Sequence, residues 1–195
     1  MAGLRRPLGV FVLAMNRYVL LILTAALFGA AQAREKIPPA AEFIFPLPPS
    51  RCDRPRVTID TRGDIYKNNV KLGKQAKSFK AACFGDVAWV DGHSSIFKNY
   101  EMLGSSASSF VIGAYSGVVV WVDAFGAIYR DHAYLGSGAE IFEAVSRTGD
   151  AVWIDKSQNL YRNDKRIGTD VVDYEVASDG RIQWESSAGR WYSSF

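Results

Sequence analysis

Short apolar segments alternate with polar, glycine-containing breaks along this chain, and the pattern returns about every 32 residues from Val57 to the C-terminal residue. Val87-Ala-Trp-Val-Asp91, Val119-Val-Trp-Val-Asp123, Ala151-Val-Trp-Ile-Asp155 and Ile182-Gln-Trp-Glu185 align directly, with tryptophans at 89, 121, 153 and 184. A turn and an apolar pair follow each, at Ile65-Tyr66, Ile96-Phe97, Ile128-Tyr129, Leu160-Tyr161 and Trp191-Tyr192. A Leu-Gly or Ile-Gly step then ends at Gly73, Gly104, Gly136 and Gly168, and an aromatic comes six residues later at Phe79, Phe110, Phe142 and Tyr174. Five units are visible, the first and last incomplete.

Segments of a few residues rich in Val, Ile, Tyr, Phe and Trp, bounded by Gly, Asp, Asn and Ser, predict strands and turns rather than helices. Strands at Phe142–Arg147, Val152–Asp155, Leu160–Arg162 and Arg166–Gly168 give one four-stranded antiparallel unit. Closing the Val119–Arg130 hairpin around Asp123-Ala-Phe-Gly126 opposes Trp121 with Ile128 and Val120 with Tyr129, and leaves both faces apolar. A sheet apolar on both faces must be stacked between neighbours, because a sheet with one wet face alternates apolar and polar residues. The expected fold is therefore all-β, a small β-propeller of about five short four-stranded antiparallel blades. A linear β-solenoid is the alternative, disfavoured by hairpins within each unit and the lack of capping segments. The deficits of the first and last units are complementary, which favours closure of a ring.

Ahead of the repeats the pattern changes twice. Arg17 precedes the apolar run Tyr18–Ala31 and the small-residue sequence Ala31-Gln-Ala33, so residues 1–33 read as a secretory signal peptide, starting at Met1 or Met15. The run is 14 residues long, short of the ~20 that span a bilayer as a helix. Residues 34–56 form an arm holding six of the seven prolines, interrupted by Phe43-Ile-Phe45, which is expected to dock on the repeat domain, residues 57–195. The protein is accordingly expected in the periplasm or outside the cell, with no membrane span once the signal is cleaved. Removing residues 1–33 lowers the basic count from 23 to 20, against 20 acidic residues. The mature chain is near neutral, without a basic block, and nucleic acid is not an expected partner. Export would permit a disulfide between Cys52 and Cys83, the only cysteines; the alternative is a buried Cys83 and a free Cys52.

Little in the repeat carries catalytic chemistry. Asp60, Asp91, Asp123 and Asp155, with Glu185 in the fifth unit, form a row that reads as turn-capping residues rather than calcium ligands. Lys67, Lys98, Arg130 and Arg162 read as solvated strand residues paired with nearby acids. His93 and His132 lie in different turns and make no metal cluster, no nucleophile and base can be paired from spacing, and no cofactor motif is present. The five tryptophans are expected in the core. Variation between units is concentrated in the turns joining second and third strands and in the connectors Ser105–Ser109 and Ser137–Glu140, which the topology places at one end. His93, Ser94, Phe125, Lys156 and Gln158 are the candidate ligand-binding residues there. Phe125 would either stack on a ligand or fold back on Tyr134.

Gly117-Val-Val-Val-Trp-Val-Asp-Ala-Phe-Gly-Ala-Ile-Tyr-Arg130 and Gly149-Asp-Ala-Val-Trp-Ile-Asp-Lys-Ser-Gln-Asn-Leu-Tyr-Arg162 resemble the repeats of tectonin and tachylectin-like propellers. The resemblance covers residues 55–195 at motif level, with Asp one residue after Trp-Val or Trp-Ile where that family often has Gly after Trp. It implies a lectin-like, non-catalytic protein that binds a glycan or a cell-envelope component. The alternative is a protein-protein interaction scaffold, and an enzyme stands third.

Overall fold

The computed structural model describes residues 52–194, which form eighteen strands and no helix. The signal-peptide segment, Phe43-Ile-Phe45 and the arm as far as residue 51 lie outside the described residues.

The first sheet contains β1 (Val57–Ile59), β2 (Ile65–Lys67) and β3 (Val70–Gly73). Three four-stranded sheets follow: β4 (Ala76–Ala81) to β7 (Glu101–Gly104) with β5 (Val87–Asp91) and β6 (Ile96–Lys98) between them; β8 (Ala107–Ile112), β9 (Val119–Asp123), β10 (Ala127–Arg130) and β11 (Ala133–Ser137); and β12 (Ala139–Ala144), β13 (Ala151–Asp155), β14 (Leu160–Arg162) and β15 (Lys165–Gly168). The fifth sheet, β16 (Val171–Val176), β17 (Ile182–Ser186) and β18 (Trp191–Ser194), has three strands. All pairings are antiparallel between sequence neighbours, an arrangement compatible with a β-propeller. Among the described residues the first sheet has no opening strand and the last no closing one, so the expected four strands are met only in the middle three.

Each of the four cores lies between successive sheets. Ala88, Ile96 and Leu103 of the second sheet pack against Phe110, Val119 and Trp121 of the third. Val120, Val122 and Ile128 on the opposite face of the third sheet meet Ala151 and Trp153 of the fourth. The same exchange joins the first sheet to the second and the fourth to the fifth. Two apolar faces per sheet follow from this stacking, and the pattern changes where it stops. Thr58 of β1 is exposed where the repeat elsewhere has Trp, and Gln183 and Glu185 replace the apolar pair Val152 and Ile154 of β13. Trp191, expected in the core, is 51% exposed, whereas Trp89, Trp121, Trp153 and Trp184 are buried.

The buried tryptophans explain the glycine at the end of each Leu-Gly step. A Cβ built on Gly73, Gly104 or Gly136 would lie 2.2, 2.4 or 2.7 Å from the Cη2 atom of Trp89, Trp121 or Trp153 in the next sheet. Within its own sheet each indole stacks on an aromatic ring: Trp89 on Phe97, Trp121 on Tyr129 and Trp153 on Tyr161, with centroids 4.2, 4.3 and 4.1 Å apart. Their Nε1–H groups donate to the carbonyls of Asn99, Asp131 and Asn163, each at 2.8 Å. Those acceptors sit in left-handed turns with φ of 52°, 47° and 54°. Their Oδ1 atoms accept the N–H of Val87, Val119 and Ala151, and their own N–H groups donate to the carbonyls of the same three residues. Asn99 and Asn163 also donate through Nδ2 to Asp86 and Asp150. In the third unit Asp131 replaces the asparagine and Val118 stands where its neighbours have Asp86 and Asp150, which avoids two facing carboxylates.

Several sequence expectations need correction. The hairpin register is shifted by one residue: Tyr129 opposes Trp121, Ile128 opposes Val122 and Arg130 opposes Val120. The loop holds three residues, ending in Gly126 at φ +83°, a left-handed position adopted at little cost without a Cβ. The opening strand of the fourth unit begins at Ala139 and stops at Ala144, three residues earlier than expected, because Val145 and Asp150 close a loop in which Gly149 N–H donates to the Val145 carbonyl. Glu185 does not continue the aspartate row; Ser186 does, with its N–H donating to the Arg190 carbonyl as Asp155 N–H donates to Asn159. Cys52 and Cys83 are joined by a disulfide, a bond compatible with an oxidising, exported environment.

Candidate functional site

The turns between second and third strands are built on the aspartate row. Oδ1 of Asp60 accepts from the N–H groups of Arg62 and Asp64, that of Asp91 from His93 and Ser95, that of Asp123 from Phe125 and Ala127, and that of Asp155 from Ser157 and Asn159, all at 2.8–2.9 Å. A carboxylate bridging two amides fixes the backbone of the turn and therefore the direction of the side chains at its tip.

Backbone bonds then tie each turn to the connectors beside it. The Ser94 carbonyl accepts from Ala107 N–H, and the Ser106 carbonyl accepts from Ala124 in the next turn. Gly126 accepts from Gly138, Gly138 from Lys156, Gln158 from Val171 and Asp170 from Ser187. Turns and connectors of the second to fifth sheets thus form one continuous edge, the end that the sequence assigned to them.

The five candidate residues lie on that edge in different roles. Ser94 and Gln158 hold the left-handed position at the end of their turns, with φ of 62° and 59°, and their carbonyls belong to the edge. Lys156 contributes its N–H to the same chain of bonds, and its side chain is exposed. His93 is exposed at the tip of the second-sheet turn. Phe125 at the third-sheet tip is 87% exposed and makes no ring contact among the described residues; Tyr134 instead packs edge-on against Tyr129 at 5.6 Å. The residues belong to three separate turns rather than to one cleft.

A concavity on this edge escaped the sequence reading. Gly168 and Asp170 of the fourth-to-fifth connector, Ser186 and Arg190 of the last turn, and the rings of Trp184 and Tyr192 bound an open depression of about 350 Å³. At the spacing that places Asn163 in a turn of the fourth unit, the fifth has Ser194, the last residue of β18.

At the opposite end the cation row makes three kinds of contact. Lys98 Nζ lies 3.6 Å from Asp131 and 4.0 Å from Asp86, Arg162 donates to Asp150 Oδ2 through Nε and Nη2 at 3.0 and 2.7 Å, and Arg130 Nε donates to the Gly149 carbonyl at 2.9 Å. Among the described residues, pairing with acids therefore holds for Lys98 and Arg162 but not for Lys67 or Arg130. Between the fourth and fifth sheets burial raises the Glu143 carboxyl above its ordinary value, opposed by a hydrogen bond with Tyr174. The Tyr174 phenol is pushed far up by burial and by that carboxylate.

The turn aspartates predict an acid limb in stability. Burial would raise Asp155 and Asp150, but hydrogen bonds from Asn159, Tyr161 and Ser157, and from Asn163, Arg162 and Thr148, outweigh it and hold both below the usual carboxylate value. Asp60 is lowered chiefly by the Asp64 amide and Asp179 by the Arg181 amide. A carboxyl lowered on folding contributes stability above its unfolded value, near 4, and loses it as pH falls through the folded value. The melting temperature is therefore expected to hold from neutral pH to about 4 and drop below it. A pH series of thermal melts checks this, and a melting temperature constant down to pH ~2 would contradict it.

Comparison with known proteins finds no family model and no curated protein that matches the chain.

Proposed function

We propose that this chain is an exported, non-catalytic binding protein, a lectin-like β-propeller of about five tectonin-like blades that recognises a glycan or another cell-envelope component. Its binding surface is the edge of turns and connectors. The observation carrying this reading is Phe125, an aromatic 87% exposed at the tip of a turn whose backbone is held by Asp123 and by hydrogen bonds to the adjoining connectors. A rigidly mounted, exposed ring suits stacking on the apolar face of a sugar, since little conformational freedom is lost on binding.

A protein-interaction scaffold is the second reading, favoured by the inequality of the tips. Arg62, His93, Phe125, Ser157 and Ala188 occupy equivalent positions, so the edge presents a different side chain on each sheet.

Phe125→Ala separates Phe125's contribution to binding from folding. The variant is expected to melt with the parent and to bind a stabilising sugar about tenfold or more weakly, equivalent to roughly 1.5–3 kcal/mol of lost ring burial. Equal sugar-dependent stabilisation of parent and variant would remove Phe125 from the site.

A further inference from the structure

We propose that the free edge of β1 is a peptide-binding site, where an extended segment of a partner protein, apolar at its centre and acidic toward its C-terminal end, adds as the fourth strand of the first sheet. The site stands independently of glycan recognition by the turns.

Its basis is a strand position that the middle three sheets fill and the first does not. Ser78 and Lys80 of β4 oppose Val90 and Ala88, and Ser109 and Val111 of β8 oppose Val122 and Val120. In the first sheet β1 takes the place of the tryptophan strand, with Thr58 where Trp89 stands, and no strand lies on its other side among the described residues. The Arg56 carbonyl accepts from Asn68 N–H and Asp60 N–H donates to the Asp64 carbonyl, both toward β2. Backbone groups alternate in direction along a strand, so the N–H and C=O of Val57 and Ile59 face the open side. Among the described residues neither has a backbone partner there. Such a row of donors and acceptors is a template for one more strand.

The side chains around the edge specify that strand. Arg54, Pro55 and Val57, with Phe79, Lys80 and Ala81 of β4, border an open groove of about 480 Å³ that no acidic residue lines. Lys80, opposite Ala88, covers the aromatic ring of the next opening strand: its Nζ lies 5.5 Å from the centroid of Phe110, which is 7% exposed. Phe79, the counterpart of Phe110, is 38% exposed, since the first sheet has no strand in the covering position. In the register of the other sheets, the added residue opposite Val57 lies over Phe79, and an apolar side chain there buries the ring. The residues after it run toward Arg54 and Lys80, neither of which has an ion pair among the described residues. Carboxylates at those positions complement the two cations. A ligand without a peptide backbone would leave the ladder groups of Val57 and Ile59 unused.

The test is to titrate the ¹⁵N-labelled protein with the blocked peptide acetyl-Thr-Val-Thr-Leu-Glu-Glu-amide, whose Leu would stand opposite Val57, up to about 1 mM while recording backbone amide correlations and exchange. The Val57 and Ile59 amides are expected to shift saturably and to exchange more slowly in the complex. A peptide of the same sequence N-methylated at the Val and Leu amides, which keeps the side chains but removes the donors to β1, should give no saturable shift. Lys80→Glu, at an exposed position, should weaken the acidic peptide about tenfold and favour a version with Lys in place of both Glu residues. No saturable shift by about 1 mM, or equal binding of the N-methylated peptide, would overturn strand addition. Val57 and Ile59 amides already slow to exchange in the free protein would also overturn it, because the edge would then be covered by the chain's own arm or by a second copy.

Discussion

Replacing Gly104 with alanine is expected to destabilise the protein by about 1–3 kcal/mol or more, although the change adds a single methyl group. Gly104 is the last residue of β7, and its Cβ would lie 2.4 Å from Cη2 and 2.6 Å from Cζ2 of Trp121. The indole cannot retreat easily. It is stacked 4.3 Å from Tyr129, bonded through Nε1 to Asp131, and packed in the core between the second and third sheets. Either the ring leaves its rotamer or the two sheets separate, and both lose packing along the whole layer. A smaller ring should absorb part of the clash. Trp121→Phe combined with Gly104→Ala is therefore expected to cost less than the sum of the single changes in equilibrium denaturation. Strict additivity would mean that the clash is not the cause of the loss.

Opening the disulfide is the second large effect. Cys52 and Cys83 are 31 residues apart, and a loop of that size lowers the entropy of the unfolded chain by the equivalent of about 3–4 kcal/mol. The bond ties the segment entering β1 to the loop between β4 and β5, where Cys83 is buried and its N–H donates to the Ala114 carbonyl of the third sheet. Cys52→Ser with Cys83→Ala avoids burying a new hydroxyl and should lower stability by about 3 kcal/mol in denaturant titration. Reductant should produce a similar loss in the parent and none in the double variant. A parent whose stability is indifferent to reduction would contradict a structural bond.

What could be read in the sequence was what the repeat states several times. Tryptophan, turn aspartate and Leu-Gly step recur together, and the all-β reading, the successive sheets and the turn-capping role of Asp60, Asp91, Asp123 and Asp155 followed from them. The hairpin register did not. Asp123-Ala-Phe-Gly126 reads equally as a four-residue turn ending in glycine and as a three-residue loop whose glycine is left-handed; only the second places Trp121 opposite Tyr129. Asn99, Asp131 and Asn163 recur with the same period, but an asparagine or aspartate between strands looks like ordinary turn chemistry until its backbone carbonyl is seen holding an indole. Glu185 was misassigned because the fifth unit has no aspartate two residues after its tryptophan to mark the turn.

The candidate site divides in the same way. The edge holding His93, Ser94, Phe125, Lys156 and Gln158 follows from strand order, and the sequence located it. Ser94 and Gln158, however, serve it through left-handed backbone and carbonyl bonds, a role that a list of polar turn residues does not reveal. The depression beside Trp184 lies where the fifth unit departs from the repeat, so a reading based on recurrence passes over it.

Glycan recognition by this edge is tested most directly by a glycan-array screen of the folded protein, with hits measured by titration calorimetry. A saturable sugar signal that is lost when the turn and connector residues are altered is the result expected here. Silence across the array from protein that melts cooperatively would contradict a lectin-like function and leave the protein-interaction scaffold as the reading to pursue.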